Sequence, residues 1–284
     1  MKVLGLVASP RRAGNSDIIV QEMMNMLPQE WKKEIIRLSD LRIDSCTACY
    51  ACLPKDKQCV IGDDLTFLLD HIKAADKVII AAPVYSLGQH TTIKLINDRM
   101  ISILSKGDEY FTGKQCVIVI SHGVKDWEGY AREATMHFAR FFGLNVTGVL
   151  VVQAALPGDV LNPEIMGKMD ALAQSLVDNT PVDFTDPELV YCPECGSSML
   201  QVSRKGKWRC VMCASEGEWT NDTGEFTLSR MPQAHRRFTL EGITAHGCVL
   251  TGIKEQFLQR KAQAVEIRKK YRKGSFWIKP DSSQ

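Results

Sequence analysis

Two hydrophobic periods alternate along the first 180 residues. VLGLVA (3–8), KEIIRL (33–38), VIIAAP (78–83), CVIVIS (116–121) and VTGVLVVQ (146–153) are short, largely apolar runs, the pattern of strands buried on both faces. Between them apolar residues recur every three or four positions. One such stripe starts near Asn15 and carries Ile19, Met23 and Met26 or Leu27. A second holds Leu65, Leu68, Leu69 and Ile72, with Asp63 and Asp64 placed to cap it. Residues 91–105 and 127–142 predict two more helices, and Ile165, Met169, Leu172 and Leu176 a fifth. Five strands alternating with five helices predict an α/β fold, a doubly wound five-stranded parallel sheet with right-handed crossovers.

In the flavodoxin-like order of such a sheet, ligands enter at the carboxyl ends of the strands, at the topological switch point. Three loops leave that edge with suitable chemistry. Ser9-Pro10-Arg11-Arg12-Ala13-Gly14-Asn15-Ser16 follows the first strand. Hydroxyls, a glycine and a helix amino end make an anion cradle, and two arginines suit a dianionic phosphate. The alternative is a polar turn in which Asn15 or Ser16 only caps the helix. Neither a Walker loop nor GxGxxG is present. Pro83-Val84-Tyr85-Ser86-Leu87-Gly88 follows the third strand and can flank a flat ring, unless Tyr85 is a core aromatic. Ser121-His122-Gly123 follows the fourth and can close the other side, with His122 a candidate for proton transfer.

Cysteines add a second chemistry. Of ten, eight fall in two tight groups. In a chain without an export signal such grouping means metal or redox cofactors rather than disulfides. Cys46, Cys49, Cys52 and Cys59 follow the second strand as Cys-x2-Cys-x2-Cys-x6-Cys. Three thiolates at x2 spacing with a distant fourth match the ligation of cubane iron–sulfur clusters; a structural zinc site is the alternative. Cys192-x2-Cys195 and Cys210-x2-Cys213 are two knuckles joined by a hairpin turning near Lys205-Gly206. They predict a small zinc-ribbon or rubredoxin-like module, with zinc or rubredoxin-type iron in a tetrahedral site. Cys116 and Cys248 are expected to be buried packing residues.

The order Ser-Pro-Arg…Gly-Asn-Ser, then the compact cysteine motif, then Pro-Val-Tyr and Asp98-Arg99, resembles the iron–sulfur flavoprotein family, part of the NADPH-dependent FMN reductase group. The resemblance covers roughly residues 1–180. It implies FMN held by Ser9, Arg11, Gly14, Asn15 and Ser16, with its ring against residues 83–88. It also implies a [4Fe–4S] cluster on Cys46, Cys49, Cys52 and Cys59, and a homodimer or homotetramer.

Composition and charge refine this picture. The 284 residues are 45% hydrophobic and 24% charged, ordinary for a globular protein. No apolar run reaches the roughly 18 residues of a membrane helix, and the start reads as a strand rather than a signal peptide, so a cytoplasmic location is expected. Residues 180–191 read as a linker. The domains expected are 1–182, with the cluster loop at 44–60; a metal module at 188–230; and a basic helical tail at 231–284. Residues 254–273 carry eight Lys and Arg against two Glu, whereas the whole chain carries only +2. Ile253, Phe257, Ala264 and Ile267 place this segment on a helix docked to a neighbouring subunit, or facing an acidic partner. Ribbon plus basic helix also raises a redox-sensing nucleic-acid binder, but no aromatic interleaving supports it. The function expected is an oxidoreductase passing electrons between a ferredoxin-like carrier, the cluster and FMN, then to a small acceptor. An NAD(P)H-dependent FMN or quinone reductase with an auxiliary cluster is the alternative.

Overall fold

A computed structural model describes residues 1–220, 225–229 and 236–272. Parts of the metal module and tail assigned above, at 221–224, 230–235 and 273–284, lie outside the described residues. The chain runs β1 (Lys2–Val7), α1 (Asn15–Met26), β2 (Lys32–Arg37), α2 (Leu65–Ala74), β3 (Lys77–Tyr85), β4 (Gly88–Gln89), α3 (Thr91–Asp98), α4 (Gly107–Tyr110), β5 (Gln115–His122), α5 (Ala131–Phe141), β6 (Asn145–Gln153) and α6 (Pro163–Asp178). The five long strands are parallel in the order β2-β1-β3-β5-β6, and β4 folds back on the end of β3. This is the flavodoxin-like order, with the direction of winding reversing between β1 and β3.

Alternate residues of each strand enter separate cores. Val3, Val7, Ile79, Ala81, Val117 and Val119 pack with Ile19 and Met23 of α1 and Leu172 of α6. Leu4, Leu6, Val78, Ile80, Ile118 and Ile120 pack with Leu68 of α2, Ile96 of α3 and Phe138 of α5. Burial on both faces explains why the strands read as continuous apolar runs. Val182 and Phe184, in the expected linker, pack on the first of these cores, and the Val182 N–H donates to Thr147 O (2.8 Å).

Two expected helices differ. The segment 91–105 is not one helix: α3 stops at Asp98, and 100–106 continues as a tighter 3-10 turn. The Arg99 N–H bonds Ile96 O (2.9 Å) and Ser102 N–H bonds Arg99 O (3.0 Å), an i→i−3 pattern at the point where the Arg99 side chain is drawn inward. The segment 127–142 becomes helical only at Ala131. Tyr130 N–H donates instead to Leu87 O of the β3–β4 turn (2.8 Å). Gly129 there has φ +54, and a Cβ would run into the Leu87 carbonyl oxygen.

The carboxyl-terminal strands β7 (Leu200–Val202), β8 (Lys207–Cys210), β9 (Glu216–Thr220) and β10 (Glu225–Leu228) form an antiparallel meander. Its core is Trp208 and the four cysteines. The module is seated on α5. Arg132 donates to Gly196 O (2.8 Å), and the buried Glu133 carboxylate accepts from the Ser198 N–H and hydroxyl (3.2 and 2.9 Å). Helices α7 (Leu240–Gln259) and α8 (Lys261–Arg272) follow. Thr239 caps α7 by accepting from Gly242 N–H. Helix α7 starts at Leu240, fourteen residues before the basic segment at 254–273, and it docks on its own chain: Ile243 is buried, and Gly247 lies against Leu104. Ile253, Phe257 and Ile267 stay exposed. Cys116 is buried as expected, whereas Cys248 is exposed, because α7 turns that face outward. Among the described residues no helix is long and apolar enough to cross a membrane.

His137 of α5 stacks edge-on against Phe141 and Phe238 (4.5 and 5.5 Å) where the helix meets the module. Burial first, then the charges of Arg237 and Lys94, push its imidazole down to about 4. An unfolded histidine takes up its proton near pH 6.5. As pH falls from about 6.5 towards 4, the unfolded chain therefore binds a proton that the folded chain refuses, and stability is lost across that window. Melting curves across it should show a shallower fall in Tm for His137→Phe than for wild type; parallel curves would contradict the assignment.

Candidate functional site

The loop between β1 and α1 gathers donors of the kind an anion needs. Helix α1 leaves the N–H groups of Asn15, Ser16 and Asp17 without intrahelical acceptors. Ser9 and Ser16 are buried beside it. The Ser9 hydroxyl accepts from Arg11 N–H (3.2 Å), so its own proton remains to be donated. Asp17, in the first helical turn, would repel an anion, but Arg37 neutralises it through two bonds of 2.7 and 2.6 Å. The Arg12 guanidinium is exposed and meets Asp40 at 3.3 Å. Gly14 has ordinary extended backbone; a Cβ there would crowd Arg11 at 3.1–3.2 Å. The Asn15 side chain does not face the cradle. It donates to Ala154 O and accepts from Gly158 N–H, both at 3.0 Å, tying α1 to the loop after β6. Its contribution to the cradle is its main-chain N–H.

Pro83, Val84 and Tyr85 complete β3, and Ser86 and Leu87 turn the chain with φ of +48 and +67. Two positive φ values make a tight primed turn, and Gly88 returns opposite Tyr85. Tyr85 is 46% exposed, so it is not a core aromatic, and it meets His90 edge-on at 5.0 Å. Ser121 is buried at the end of β5. His122 turns Nδ1 to Val124 O (2.8 Å), and Gly123 passes Ala155. Trp127 and Tyr130, both at least half exposed, flank the same edge and were not anticipated. A Cβ on Gly88 would sit 2.6 Å from the Tyr130 hydroxyl. The pairing of Gly129 and Tyr130 was the available signal.

The two cysteine groups differ in geometry. Among the described residues, Cys192, Cys195, Cys210 and Cys213 gather four sulfurs within 4.8 Å of one another, all buried. Cys192–Cys213 and Cys195–Cys210 are each 3.6 Å apart. One ion with bonds of about 2.3 Å to four tetrahedral thiolates needs sulfurs about 3.8 Å apart, so the donor set fits a single ion. Cys213 is pushed well below the usual thiol range by hydrogen bonds from Cys192, Cys195 and Cys210.

Cys46, Cys49, Cys52 and Cys59 do not gather so tightly. A cubane spreads its ligand sulfurs over four metal corners, which a wider set suits. Ala48 and Tyr50 have φ of +51 and +55, folding the loop so that N–H groups face sulfur. The Ala48 N–H donates to Cys46 (3.4 Å). Cys49 is drawn down by Ala51 N–H first, then by Thr47, with the Lys254 charge a smaller cause. Cys52 is pushed up by burial, then by the charges of Cys59, Cys49 and Cys46, which lie around it. Helix α7 reaches this loop: Lys254 Nζ donates to Tyr50 O (3.0 Å).

Behind the loop stands Arg99, fully buried. Its Nη1 donates to Asp44 O and Asp63 (2.7 and 2.5 Å), and its Nη2 to Asp63 and the Cys59 sulfur (both 3.2 Å). Burial opposes charge on both partners, yet their mutual hydrogen bonds prevail: Asp63 is held below the usual carboxyl range and Arg99 above the usual guanidinium range. Arg99 Nε is buried with no protein acceptor.

Residues 1–156 match the family described as NADPH-dependent FMN reductase. An iron–sulfur flavoprotein of Methanocaldococcus jannaschii is 37% identical over 100 residues, 35% of this chain and 51% of the relative. One of Archaeoglobus fulgidus is 29% identical over 151 residues, 53% and 74% respectively. The chain spans about half the length of the first relatives it matches. A solved flavone reductase superposes with a TM-score of 0.74 over 98% of this chain and 100% of its own, at 19% identity, a likeness of fold that extends through the carboxyl-terminal module. With the family pattern covering more than half of its length, the chain belongs to the NADPH-dependent FMN reductase family.

Proposed function

We propose that this chain is an FMN-dependent oxidoreductase whose loop at Cys46, Cys49, Cys52 and Cys59 carries a [4Fe–4S] cluster and whose ribbon cysteines hold zinc. The observation that carries this reading is the single sheet edge shared by four loops: the cradle after β1, the cysteine loop after β2, the hairpin after β3 and residues 121–123 after β5. Ser9 and the N–H groups of Asn15, Ser16 and Asp17 would hold the FMN phosphate, with Arg11 adding charge. The Pro83–Gly88 turn and Ser121–Gly123 would flank the ring. Bound FMN supplies one- or two-electron chemistry and a bound cluster one-electron chemistry. The chain's own part is to hold both groups, exclude water and direct N–H donors at sulfur. A ferredoxin-like carrier is the donor that the cluster favours, and Lys254 of α7, Arg260 at the junction, and Lys261, Arg268 and Lys269 of α8 give an acidic carrier a basic surface. The family's own description favours a second reading, in which NAD(P)H reduces FMN directly and the cluster is auxiliary. We also propose a homo-oligomer, since Tyr85, Leu87, Trp127 and Tyr130 leave apolar surface exposed at the flavin edge.

Three outcomes test this. The protein should release FMN and not FAD on chromatography. Ser9→Ala should bind FMN on the order of 10- to 100-fold more weakly, from about 1.5–3 kcal/mol for a hydrogen bond to a charged phosphate; Asn15→Ala should also lower Tm, having freed the 154–158 loop. Stoichiometric FAD, or unchanged affinity in Ser9→Ala, contradicts the cradle.

Cys49→Ala should lose acid-labile sulfide and its iron while keeping FMN and zinc; retention of both iron and sulfide contradicts the ligand set. Anaerobic stopped-flow separates the two donors. Reduced ferredoxin should bleach the flavin faster in wild type than in Cys49→Ala, and added salt should slow it. Equal rates with ferredoxin, together with rapid bleaching by NADPH alone, select the second reading.

A further inference from the structure

Arg99 is an unusual group to find without exposed surface. A buried guanidinium needs a counter-ion and acceptors for its five N–H bonds. Asp63 supplies the charge and the Asp44 carbonyl one more acceptor. Two donors are not accounted for by this packing role. Nη2 also points to the Cys59 sulfur at 3.2 Å, and Nε is buried with no acceptor in the protein. Both belong to a residue pinned behind the four-cysteine loop. The thiol acceptor is the distinguishing contact, because an ion pair with Asp63 alone does not call for sulfur, and an unmet buried donor at Nε costs about 1–3 kcal/mol. Sulfur is the acceptor that loop chemistry offers.

We infer that Arg99 is a positioning residue for the iron–sulfur centre, setting its reduction potential through N–H donation to the Cys59 thiolate and, from Nε, to a further sulfur. This rests on the cluster reading given above. One electron taken from a donor such as reduced ferredoxin adds one negative charge to the centre. Donors to sulfur stabilise that charge more than they stabilise the oxidised form, so they raise the potential. Because Asp63 cancels the net charge of Arg99, the effect comes from the directed N–H bonds, and a residue that keeps the charge but not the fork does not replace it.

The test is Arg99→Lys in anaerobically prepared holoprotein, with Arg42→Lys as an exposed control from the same loop. Iron and sulfide are counted first, then the centre is titrated with mediators and followed by EPR. The result expected is a full cluster in all three proteins and a potential in Arg99→Lys lower by at least tenfold in the reduction equilibrium, which is 59 mV for one electron, with Arg42→Lys unchanged. A full cluster with an unchanged potential overturns this inference and leaves the cluster reading standing. A wild type without iron and sulfide overturns both. If Arg99→Lys does not fold, wild type and Arg42→Lys carrying ¹⁵N-guanidinium arginine decide the matter by pulsed EPR of the reduced centre. A weak ¹⁵N coupling in both supports the inference, and its absence overturns it.

Discussion

Burying the Arg99 guanidinium is the constraint on which the arrangement around the cysteine loop depends. The side chain has no exposed surface and belongs to a stretch whose apolar pattern otherwise favours one long helix. Its partners, Asp44, Cys59 and Asp63, lie 36 to 55 positions earlier in the chain. Satisfying them ends α3 at Asp98, tightens the next turn and anchors both ends of a loop that has no helix or strand of its own. Removing one partner would strand a buried charge, which typically costs 3–5 kcal/mol. The loop that carries the thiols is thus fixed from behind by the α/β core and from outside by Lys254 of α7.

Helix α5 performs a similar task for the hairpin after β3 and for the carboxyl-terminal module. Tyr130, just before its first turn, bonds the hairpin that follows β3. Two and three residues later Arg132 and Glu133 hold the first knuckle of the metal module. The hairpin after β3 and the four buried sulfurs are therefore referred to the same rigid element, a sounder basis for fixed geometry than a loop. The β1–α1 loop is tied in by different means: Asn15 joins it to the loop after β6, and Arg37 neutralises the Asp17 carboxylate in the first turn of α1.

The fold was legible because its signals are local. Runs such as VIIAAP and CVIVIS are buried on both faces, so the strands announce themselves, and the paired x2 spacing of Cys192, Cys195, Cys210 and Cys213 foretells the four sulfurs that gather in the carboxyl-terminal module. What the sequence hid depends on distant partners. Nothing near Arg99 announces Asp63 or Cys59. Nothing near Asn15 announces that Ala154 and Gly158 bond its side chain, leaving its main-chain N–H to the loop. Cys248 reads as buried because its neighbours Val249 and Leu250 are apolar, although it is Gly247 that α7 sets against Leu104 while Cys248 is exposed. Trp127 and Tyr130 were absorbed into a helix that begins later, because the glycine before Tyr130 is needed at positive φ beside Leu87.

The central claim is that two cysteine sets of different spacing hold different metals at fixed places in one chain. Anomalous X-ray scattering from anaerobically grown crystals, recorded on both sides of the iron and zinc edges, tests it most directly. The account predicts iron density as a compact multi-atom peak among Cys46, Cys49, Cys52 and Cys59, and a single zinc peak among Cys192, Cys195, Cys210 and Cys213. A single zinc atom at the first set, with no iron there, would contradict it.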